Sequence, residues 1–412
     1  MLKPSGIEWF RTPEMLSFSI RRDSLMSKRV AIVGIGYSGF RTTSTDVSYR
    51  EMIFEAATKC YEDAGGIHPQ SIDSFVASSE DFMEGISIAD EYVPDQLGAV
   101  LKPVQSIAGD SLQGLASALM QIKTGQQSVV AASAFSKASN LSHYGHVTAY
   151  ATDPAYIRPL NENTNFIAGL EMNRYLYESG TTREQCAKVV VKNKYNALSN
   201  PGAVYGAKIT AEDVLSASPI STPLGSLDVS GHLDGAIVLL LADENRAREL
   251  TDHPIWIRGI GWGTDTPNLD SRLEGLGSAV YARLAAEKAY SMAGIKSPLN
   301  EIDFAEIDDT YSYKELQHLE ALQLCGYGEA GKLLEMGCFE AGGDLPVNIS
   351  GGSLGFGYLH EANGLHRVME TALQLRGEAG KRQLAGPETG LAFAWRGVPT
   401  ATGTAVILSN RL

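Results

Sequence analysis

Three short stretches of the sequence carry residues that could move protons or stabilise negative charge. Asp308 opens the run Asp-Asp-Thr-Tyr that ends at Tyr311, and Tyr358 follows a glycine-rich run that begins at Gly351-Gly352. A carboxylate can accept a proton and a phenol can donate one, which are the two roles of general acid–base catalysis. Tight turns at Gly351-Gly352 and at Gly109 could present backbone N–H groups to a developing negative charge. These residue types therefore indicate proton-transfer chemistry.

Several of these side chains also have a purely structural interpretation. Asp308 and its neighbour precede a predicted helix over 313–324, where one of the two carboxylates could serve only as the N-cap. Tyr358 could simply fill volume and hydrogen-bond locally. Asp110 could cap the helix that follows it, and His360 could be an ordinary polar residue at a helix entry. Both interpretations stay open on the sequence alone.

A repeated pattern predicts the elements that must position these residues. The β-branched run 29–36 ends in glycines and predicts a buried strand, and 254–261 repeats it. An amphipathic helix follows each strand and is stopped by a glycine, at Gly65 in the first copy and at Gly294 in the second. Both helices then lead into a second strand with an Ile-Asp pair near its start.

A third match pairs 107–112 with 349–354, where each copy is predicted to run strand, glycine turn and helix. Three matches in the same order favour duplication over chance, so we predict an α/β protein built from two similar halves. The predicted N-terminal half spans 26–255, with an inserted loop domain at about 140–225. The predicted C-terminal half spans 256–412, and 1–25 form an N-terminal extension.

Composition limits the classes of partner. The 412-residue chain is 44% hydrophobic and 20% charged, and its net charge of −14 argues against binding nucleic acid through a general positive field. No apolar run reaches the roughly 18 residues that a membrane span needs. The four cysteines show neither CxxC pairing nor histidines at metal spacing, so we predict a reduced cytoplasmic protein without a metal site.

Several longer segments carry a specific family resemblance. The segments 180–201 and 209–219, followed by Asp234-Gly235-Ala236, resemble the thiolase superfamily in its sterol-carrier-protein-type branch. The resemblance extends from about Arg29 to Leu408. It implies the thiolase fold, with five layers in the order α-β-α-β-α, a homodimer, and coenzyme A thioesters as ligands. It implies no cofactor apart from the coenzyme A of the substrate.

The resemblance also locates the family's reactive positions, and all four are changed here. Ala108 stands where the family has its nucleophilic cysteine, and Asp308 begins the motif that corresponds to the family's His-Asp-Cys-Phe. Tyr358 fills the histidine slot of the glycine-rich motif. Trp395 falls near the position of the late catalytic cysteine. Because a methyl group at position 108 cannot accept an acyl group, we do not expect thiolysis.

The altered motifs resemble those of thiolase-like steroid side-chain aldolases, which implies retro-aldol cleavage of a β-hydroxyacyl-CoA with a bulky acyl group. In this interpretation Tyr358 is the acid, and the base is Asp308 or a nearby tyrosine, Tyr311 or Tyr313. Further residues are predicted to line the site: Ala108, Asp110, Tyr311, Gly351, Gly352, His360 and Trp395. The resemblance also implies a small zinc-ribbon/OB-fold partner protein.

Two rival functions stay open. A non-catalytic thiolase-like subunit of an acyl-CoA-processing complex would also lose the reactive residues. The retained glycines around Gly351-Gly352 and Gly355 argue against that rival, because a purely structural chain has little reason to keep them. A C–C bond-forming acyltransferase is disfavoured because relatives of that type keep the cysteine.

Overall fold

The computed structural model describes residues 28–80, 88–141, 144–150, 152–155, 157–160, 164–266, 275–397 and 401–412. The predicted extension over 1–25 lies outside the described residues. The strands within them are β1 Val30–Tyr37, β2 Ser74–Ser78, β3 Val104–Ile107, β4 Val129–Lys137, β5 Pro219–Ser221, β6 Leu224–Gly225, β7 Asp234–Asp243, β8 Ile255–Asp265, β9 Phe304–Ile307, β10 Thr389–Arg396 and β11 Ala401–Ser409.

The α-helices within the same residues differ widely in length. They are α1 Tyr49–Asp63, α2 Ala89–Tyr92, α3 Pro94–Leu97, α4 Ser111–Lys123, α5 Tyr144–Tyr150, α6 Thr164–Ser179, α7 Arg183–Ala197, α8 Ala211–Leu215, α9 Glu244–Leu250, α10 Val280–Ala293, α11 Pro298–Glu301, α12 Ser312–Ala321, α13 Ala330–Glu335 and α14 Asn363–Arg376. Among them, none is both long and apolar enough to cross a membrane.

The sheet order confirms the predicted duplication. One nine-stranded sheet runs β3-β2-β4-β7-β1-β8-β11-β10-β9, and β1 and β8 pair antiparallel at its centre through Ala31 with Trp256 and Ile32 with Ile255. Outward from that pair, the first half continues with β7 and β4, each antiparallel to the strand before it, and then with β2, which is parallel to β4. The second half continues in the same way with β11, β10 and β9. The counterpart of β3 in the second half is not a full strand. It is a single parallel bridge between Val347 and Ala305 of β9.

Three hydrophobic clusters divide the helices into layers. Helices α4 and α14 pack in the middle, against residues from the strands of both halves. Helices α1 and α9 cover the outer face of the first half, and α10 covers that of the second half together with α6, α7 and α12. The result is the five-layered α-β-α-β-α arrangement expected from the family resemblance.

The repeated glycines of the two central strands have the same physical role. A side chain at Gly36 would place its Cβ 2.0 Å from the main-chain oxygen of Ala56 in α1. A side chain at Gly261 would place its Cβ 2.3 Å from the corresponding oxygen of Ala285 in α10. Each helix therefore approaches its strand so closely that only glycine fits.

The third sequence match folds differently in its second copy. In the first copy β3 is followed by Gly109 and then by α4. In the second copy residues Gly352–Phe356 form a π-helical turn, and α14 begins only at Asn363. Gly351 and Gly352 have φ of 106° and 58°, in the left-handed region, which is why an α-helix cannot start there.

Candidate active site

Residues 229–233 form a ribbon between the two motifs that the sequence singled out. Val229 bridges to Tyr311 on one side, and His232 bridges to Tyr358 on the other. Ser230 N donates to the main-chain oxygen of Thr310 at 3.0 Å, and Tyr358 N donates to that of Gly231 at 2.7 Å. The ribbon therefore brings Tyr311 and Tyr358 to one place although they are far apart in the chain.

A cavity of about 300 Å³ opens at this place. Its walls come from the ribbon, from both motifs, from the loop domain and from the end of β10. The lining residues are Gly145, Thr164, Asn165, Val229, Ser230, His232, Thr310, Tyr311, Tyr358, Trp395 and Gly397. Three of the residues expected at the site, Tyr311, Tyr358 and Trp395, are thus brought together.

Tyr311 presents a neutral phenol to the cavity. Its side chain is 6% exposed, and its Oη donates to Asn165 Oδ1 at 3.2 Å. Burial raises the pKa of Tyr311 above its ordinary value. The hydroxyl therefore keeps its proton near neutral pH and is better suited to donate a hydrogen bond than to act as a base.

An aromatic cluster surrounds Tyr358. The His232 ring lies 6.2 Å from the Tyr358 ring, centre to centre, and stacks on the His360 ring at 4.7 Å. Partial desolvation lowers the pKa of His232, although this residue is still exposed to solvent, and full burial lowers the pKa of His360 further, where the neighbouring His232 contributes. Both imidazoles are therefore neutral near pH 7. His360 contacts this cluster but does not itself line the cavity.

The sequence interpretation missed His232. It lies in Ser230-Gly231-His232-Leu233, just before β7, with no acidic partner or metal-type spacing to single it out. The signal that could have found it is its position next to Asp234-Gly235, which is part of the family-like pattern.

Trp395 forms a wall that is supported by a buried cation. Its side chain is 4% exposed, and Lys314 Nζ lies 3.9 Å from the ring centre. The same ammonium group is fixed by Glu171 Oε1 at 2.5 Å and by Tyr281 Oη at 3.0 Å. A cation over an aromatic face is attracted by the ring and holds it in place.

Two polar atoms at the cavity wall have no hydrogen-bond partner within the described part of the chain. They are the indole Nε1 of Trp395 and the hydroxyl of Ser230, which is 6% exposed. A buried donor without a partner costs about 1–3 kcal/mol, so such atoms call for a ligand or a water molecule. They give the cavity the capacity to hold a polar group.

Asp308 is placed beside the cavity but not in its lining. Its Oδ1 accepts from Thr310 N at 3.0 Å, and its Oδ2 accepts from Thr310 Oγ1 at 3.1 Å and from Asn363 Nδ2 at 2.9 Å. Burial raises the pKa of Asp308 to about 6, although Arg367 opposes the shift. Its carboxylate thus ties the turn that carries Tyr311 to the start of α14.

Gly351 and Gly352 also lie outside the lining, and their turn does not offer its N–H groups to a ligand. Gly351 N donates to the main-chain oxygen of Asn348, and Gly352 N to Ser350 Oγ at 3.3 Å. The next amide, Ser353 N, donates to Asp309 Oδ1 at 2.5 Å. The expectation that this turn supplies donors to a substrate is therefore wrong, because a buried carboxylate and loop atoms already accept these bonds.

Asp110 is the N-cap of α4, and it also caps the start of α14. Its Oδ1 accepts from Leu112 N at 2.8 Å, and its Oδ2 accepts from Gly364 N at 3.0 Å. Burial raises the pKa of Asp110 to about 7. Asp110 therefore joins the two middle helices, and neither it nor the exposed Ala108 belongs to the cavity lining.

All four cysteines of the chain lie away from the cavity lining. Cys60 lies in α1 and is buried against β1, and Cys186 and Cys325 are buried in the outer layer of the second half. Cys338 is half-buried beside that layer. Burial raises the pKa of the Cys60, Cys186 and Cys325 thiols, which makes them unreactive.

Comparison with known proteins identifies the family. A family model described as "Thiolase C-terminal domain-like" matches residues 264–410. An acetyl-CoA acetyltransferase from Methanothermobacter thermautotrophicus is 33% identical over 371 residues, which cover 88% of this chain and 94% of that protein. A 17-hydroxy-3-oxo-4-pregnene-20-carboxyl-CoA lyase from Mycobacterium tuberculosis is 30% identical over 394 residues, 92% of this chain and 99% of that protein. The chain belongs to the thiolase superfamily.

Within the thiolase superfamily, this chain falls in the sterol-carrier-protein-type and aldolase branch. The solved structure of an "Ltp2-ChsH2(DUF35) aldolase" superposes with a TM-score of 0.80 and is 25% identical, over 93% of this chain and 98% of that one. The sequence resemblance is thereby confirmed. The lyase and aldolase relatives support a thiolase-like lyase.

Proposed function

We propose that this thiolase-like protein cleaves a β-hydroxyacyl-CoA by a retro-aldol reaction, releasing a ketone and a shorter acyl-CoA. The observation that carries the proposal is a cavity lined by two tyrosines, a histidine and a tryptophan, in a chain whose four cysteines all lie elsewhere. Thiolytic cleavage needs a thiol to take the acyl group, whereas a retro-aldol reaction needs only an acid, a base and donors for the enolate.

The cavity offers residues for the acid and donor roles. When the bond between the α- and β-carbons breaks, its electron pair passes to the thioester as an enolate. The indole N–H of Trp395 and the Ser230 hydroxyl, both without a partner among the described residues, would hydrogen-bond the enolate oxygen. The Tyr358 hydroxyl would then protonate the α-carbon, and Tyr311 would orient the substrate carbonyl.

Asp308 takes a different role in this proposal. Its carboxylate accepts three hydrogen bonds from Thr310 and Asn363, so it holds the Tyr311 turn in position. We therefore propose it as a positioning residue rather than as the base. No step of the reaction requires a cofactor other than the coenzyme A of the substrate.

The relatives suggest the substrate class and the assembly. The Mycobacterium tuberculosis relative is named as a lyase of a pregnene carboxyl-CoA, and its similarity to this chain supports a bulky, ring-bearing acyl group here. The structural relative is named for Ltp2 together with ChsH2(DUF35). We accordingly propose that this chain forms a homodimer and pairs with a small zinc-ribbon/OB-fold protein of that type, in the cytoplasm.

An acyltransferase is the second candidate, because the 33% identical relative is named as an acetyl-CoA acetyltransferase. That reaction, in the thiolase manner, requires an acyl-accepting thiol at the site. Since none of the cysteines lines the cavity, the lyase is the better-supported proposal.

The test incubates the purified chain, with and without the proposed partner protein, with a panel of ring-bearing and linear β-hydroxyacyl-CoAs. Mass spectrometry should detect a ketone and a shorter acyl-CoA in equal amounts. Tyr358→Phe should abolish release, while Tyr177→Phe, at an 82% exposed tyrosine, should not change it. Acyl transfer between two acyl-CoAs without ketone release would favour the acyltransferase instead.

A further inference from the structure

A fully buried lysine lies directly behind the wall of the cavity. The side chain of Lys314 in α12 is 0% exposed, and its Nζ lies 3.9 Å from the centre of the Trp395 ring. The rings of Tyr313 and Tyr281 are also close to the ammonium group, at 5.2 and 5.6 Å between Nζ and the ring centre. Because burying a charge is costly unless it is paired, a lysine in this position calls for a specific explanation.

Hydrogen bonds fix the Lys314 ammonium group and keep it charged. Its Nζ donates to Glu171 Oε1 at 2.5 Å, to Gln317 Oε1 at 2.8 Å and to Tyr281 Oη at 3.0 Å. The side chain of Glu171 is itself 2% exposed, so the ion pair is closed off from solvent. A carboxylate at hydrogen-bond distance favours the protonated form of the lysine. The ammonium group is therefore a fixed positive charge over the Trp395 ring.

The edge of the Trp395 ring next to Nε1 lies against Gly397, which lines the cavity. A Cβ on Gly397 would collide with Cζ2, Cη2 and Cε2 of the indole, and Cε2 is bonded to Nε1. Only a glycine at position 397 therefore leaves this edge in place. Nε1 has no hydrogen-bond partner within the described residues, so a group bound in the cavity can serve as its acceptor.

We propose that Lys314 is a positioning residue that makes Trp395 an effective donor to the enolate, an inference that rests on the proposed lyase function. Its charge holds the ring in one orientation, because a cation is attracted to an aromatic face. The same charge draws electron density from the ring, which strengthens the indole N–H as a hydrogen-bond donor. In a buried, low-dielectric setting this effect is weakly screened. No bond to either residue forms or breaks, and the N–H proton stays on the indole.

The strengthened donor should act on the transition state more than on the bound substrate. The thioester oxygen is a weak hydrogen-bond acceptor in the substrate, and it gains negative charge as the C–C bond breaks. An interaction that grows with this charge lowers the barrier without tightening substrate binding. Removal of the charge of Lys314 should therefore lower kcat and leave KM nearly unchanged.

A purely structural role for Lys314 is the alternative, because its network also supports the fold. Tyr281 Oη lies 3.0 Å from His318 Nε2, and His318 Nδ1 lies 3.0 Å from the main-chain oxygen of Asp308. The two roles differ in their dependence on the indole N–H. If Lys314 acts through Trp395, its charge has no effect on the rate once that N–H is removed. If Lys314 only stabilises the fold, its loss slows the reaction by the same factor in either case.

The experiment is a double-mutant cycle on the full chain with its partner protein and a substrate that the wild type cleaves. Trp395→Phe keeps an aromatic ring but removes the N–H, and it should lower kcat for ketone release about 10²–10³-fold, the typical loss for one such donor. Lys314→Met combined with Glu171→Gln removes both buried charges and nearly keeps the side-chain sizes. This charge-free pair should lower kcat at least about 10-fold and change KM less than about twofold. In the Trp395→Phe background it should change kcat less than about twofold.

The matched control removes a different ion pair. Arg376→Met combined with Asp63→Asn deletes a cation whose side chain is 3% exposed and its partner at 2.8 Å, and neither residue lines the cavity. Its kcat and KM should equal those of the wild type. If the charge-free pair does not fold, as judged by circular dichroism, Lys314→Gln with Glu171→Gln takes its place, since the two amides can hydrogen-bond each other.

Three results would overturn the inference while the lyase proposal stands. The charge-free pair could leave kcat unchanged, or it could lower kcat by the same factor with and without the indole N–H. Trp395→Phe alone could keep more than about a tenth of the wild-type kcat, which would remove the donor through which Lys314 is proposed to act. If the wild type releases no ketone, the inference and the lyase proposal both fail.

Discussion

Replacing Asp309 with asparagine tests whether one buried carboxylate holds the glycine-rich loop in place. Asp309 is fully buried, and its Oδ1 accepts from Ser353 N at 2.5 Å and from Arg367 Nη2 at 2.8 Å. Its Oδ2 accepts from Asn193 Nδ2 at 2.7 Å and from Leu354 N at 3.2 Å. The carboxylate therefore satisfies four donors from three separate parts of the chain.

Asparagine keeps the shape of the side chain but replaces one acceptor oxygen with an NH₂ group. Two of the four donors then lose their acceptor, at about 1–3 kcal/mol each. The buried Arg367 guanidinium also loses its nearest negative charge, since the next carboxylate, that of Glu306, is 3.8 Å away. Because these costs overlap, we expect the free energy of unfolding to fall by about 3–5 kcal/mol.

The assay is guanidinium unfolding followed by far-UV circular dichroism, with ketone release measured on the same preparations. Asp344→Asn, at an exposed aspartate, is the matched control and should stay within about 0.5 kcal/mol of the wild type. Because the loop ends at Tyr358, ketone release by Asp309→Asn should also fall. A loss of stability below about 1 kcal/mol would refute the argument, since it would mean that the four donors find other acceptors.

Three further predictions follow from other parts of the structure. Lys137→Met should lower the free energy of unfolding by about 3–5 kcal/mol, because it removes the ammonium group that lies 2.9 Å from the carboxylate of the fully buried Asp234. A denaturant titration that shows no change in stability would contradict this prediction. Stability should fall as pH rises from 5 to 8, because burial raises the pKa of Asp110 and Glu306 to about 7 each. Such carboxyls bind their protons more tightly in the folded state than in the unfolded state. Their contribution to the free energy of unfolding is therefore complete below the unfolded pKa near 4 and is lost as pH rises through 7. A higher unfolding midpoint at pH 8 than at pH 5.5 would disprove the effect. Tyr311→Phe should slow ketone release at least about 10-fold, with a free energy of unfolding within about 1 kcal/mol of the wild type, and unchanged release kinetics would rule out a role for its hydroxyl.

The sequence alone determined the family, the duplicated architecture and the acid candidate. These features depend on local patterns: buried β-branched strands followed by helices, with glycines such as Gly36 and Gly261 where a helix crosses the strand closely. A side chain of any kind at these glycines would strike the helix backbone, so the pattern persists in both halves and can be recognised in the primary structure. Tyr358 could be found in the same way, since it follows a glycine run of fixed spacing.

Only the tertiary structure decided which neighbouring polar residues reach the cavity. Asp308 and Tyr311 are three positions apart in the sequence. The carboxylate of Asp308 accepts a hydrogen bond from Asn363 and lies outside the cavity lining, whereas Tyr311 bridges to Val229 of the ribbon and lines the cavity. The same ribbon supplies His232, which no local pattern distinguishes. Side-chain direction at such turns is set by hydrogen bonds to residues distant in the chain. The bond between Asp308 and Asn363 joins positions 55 residues apart, and the bridge between Val229 and Tyr311 joins the two halves, so residue spacing could not reveal either contact.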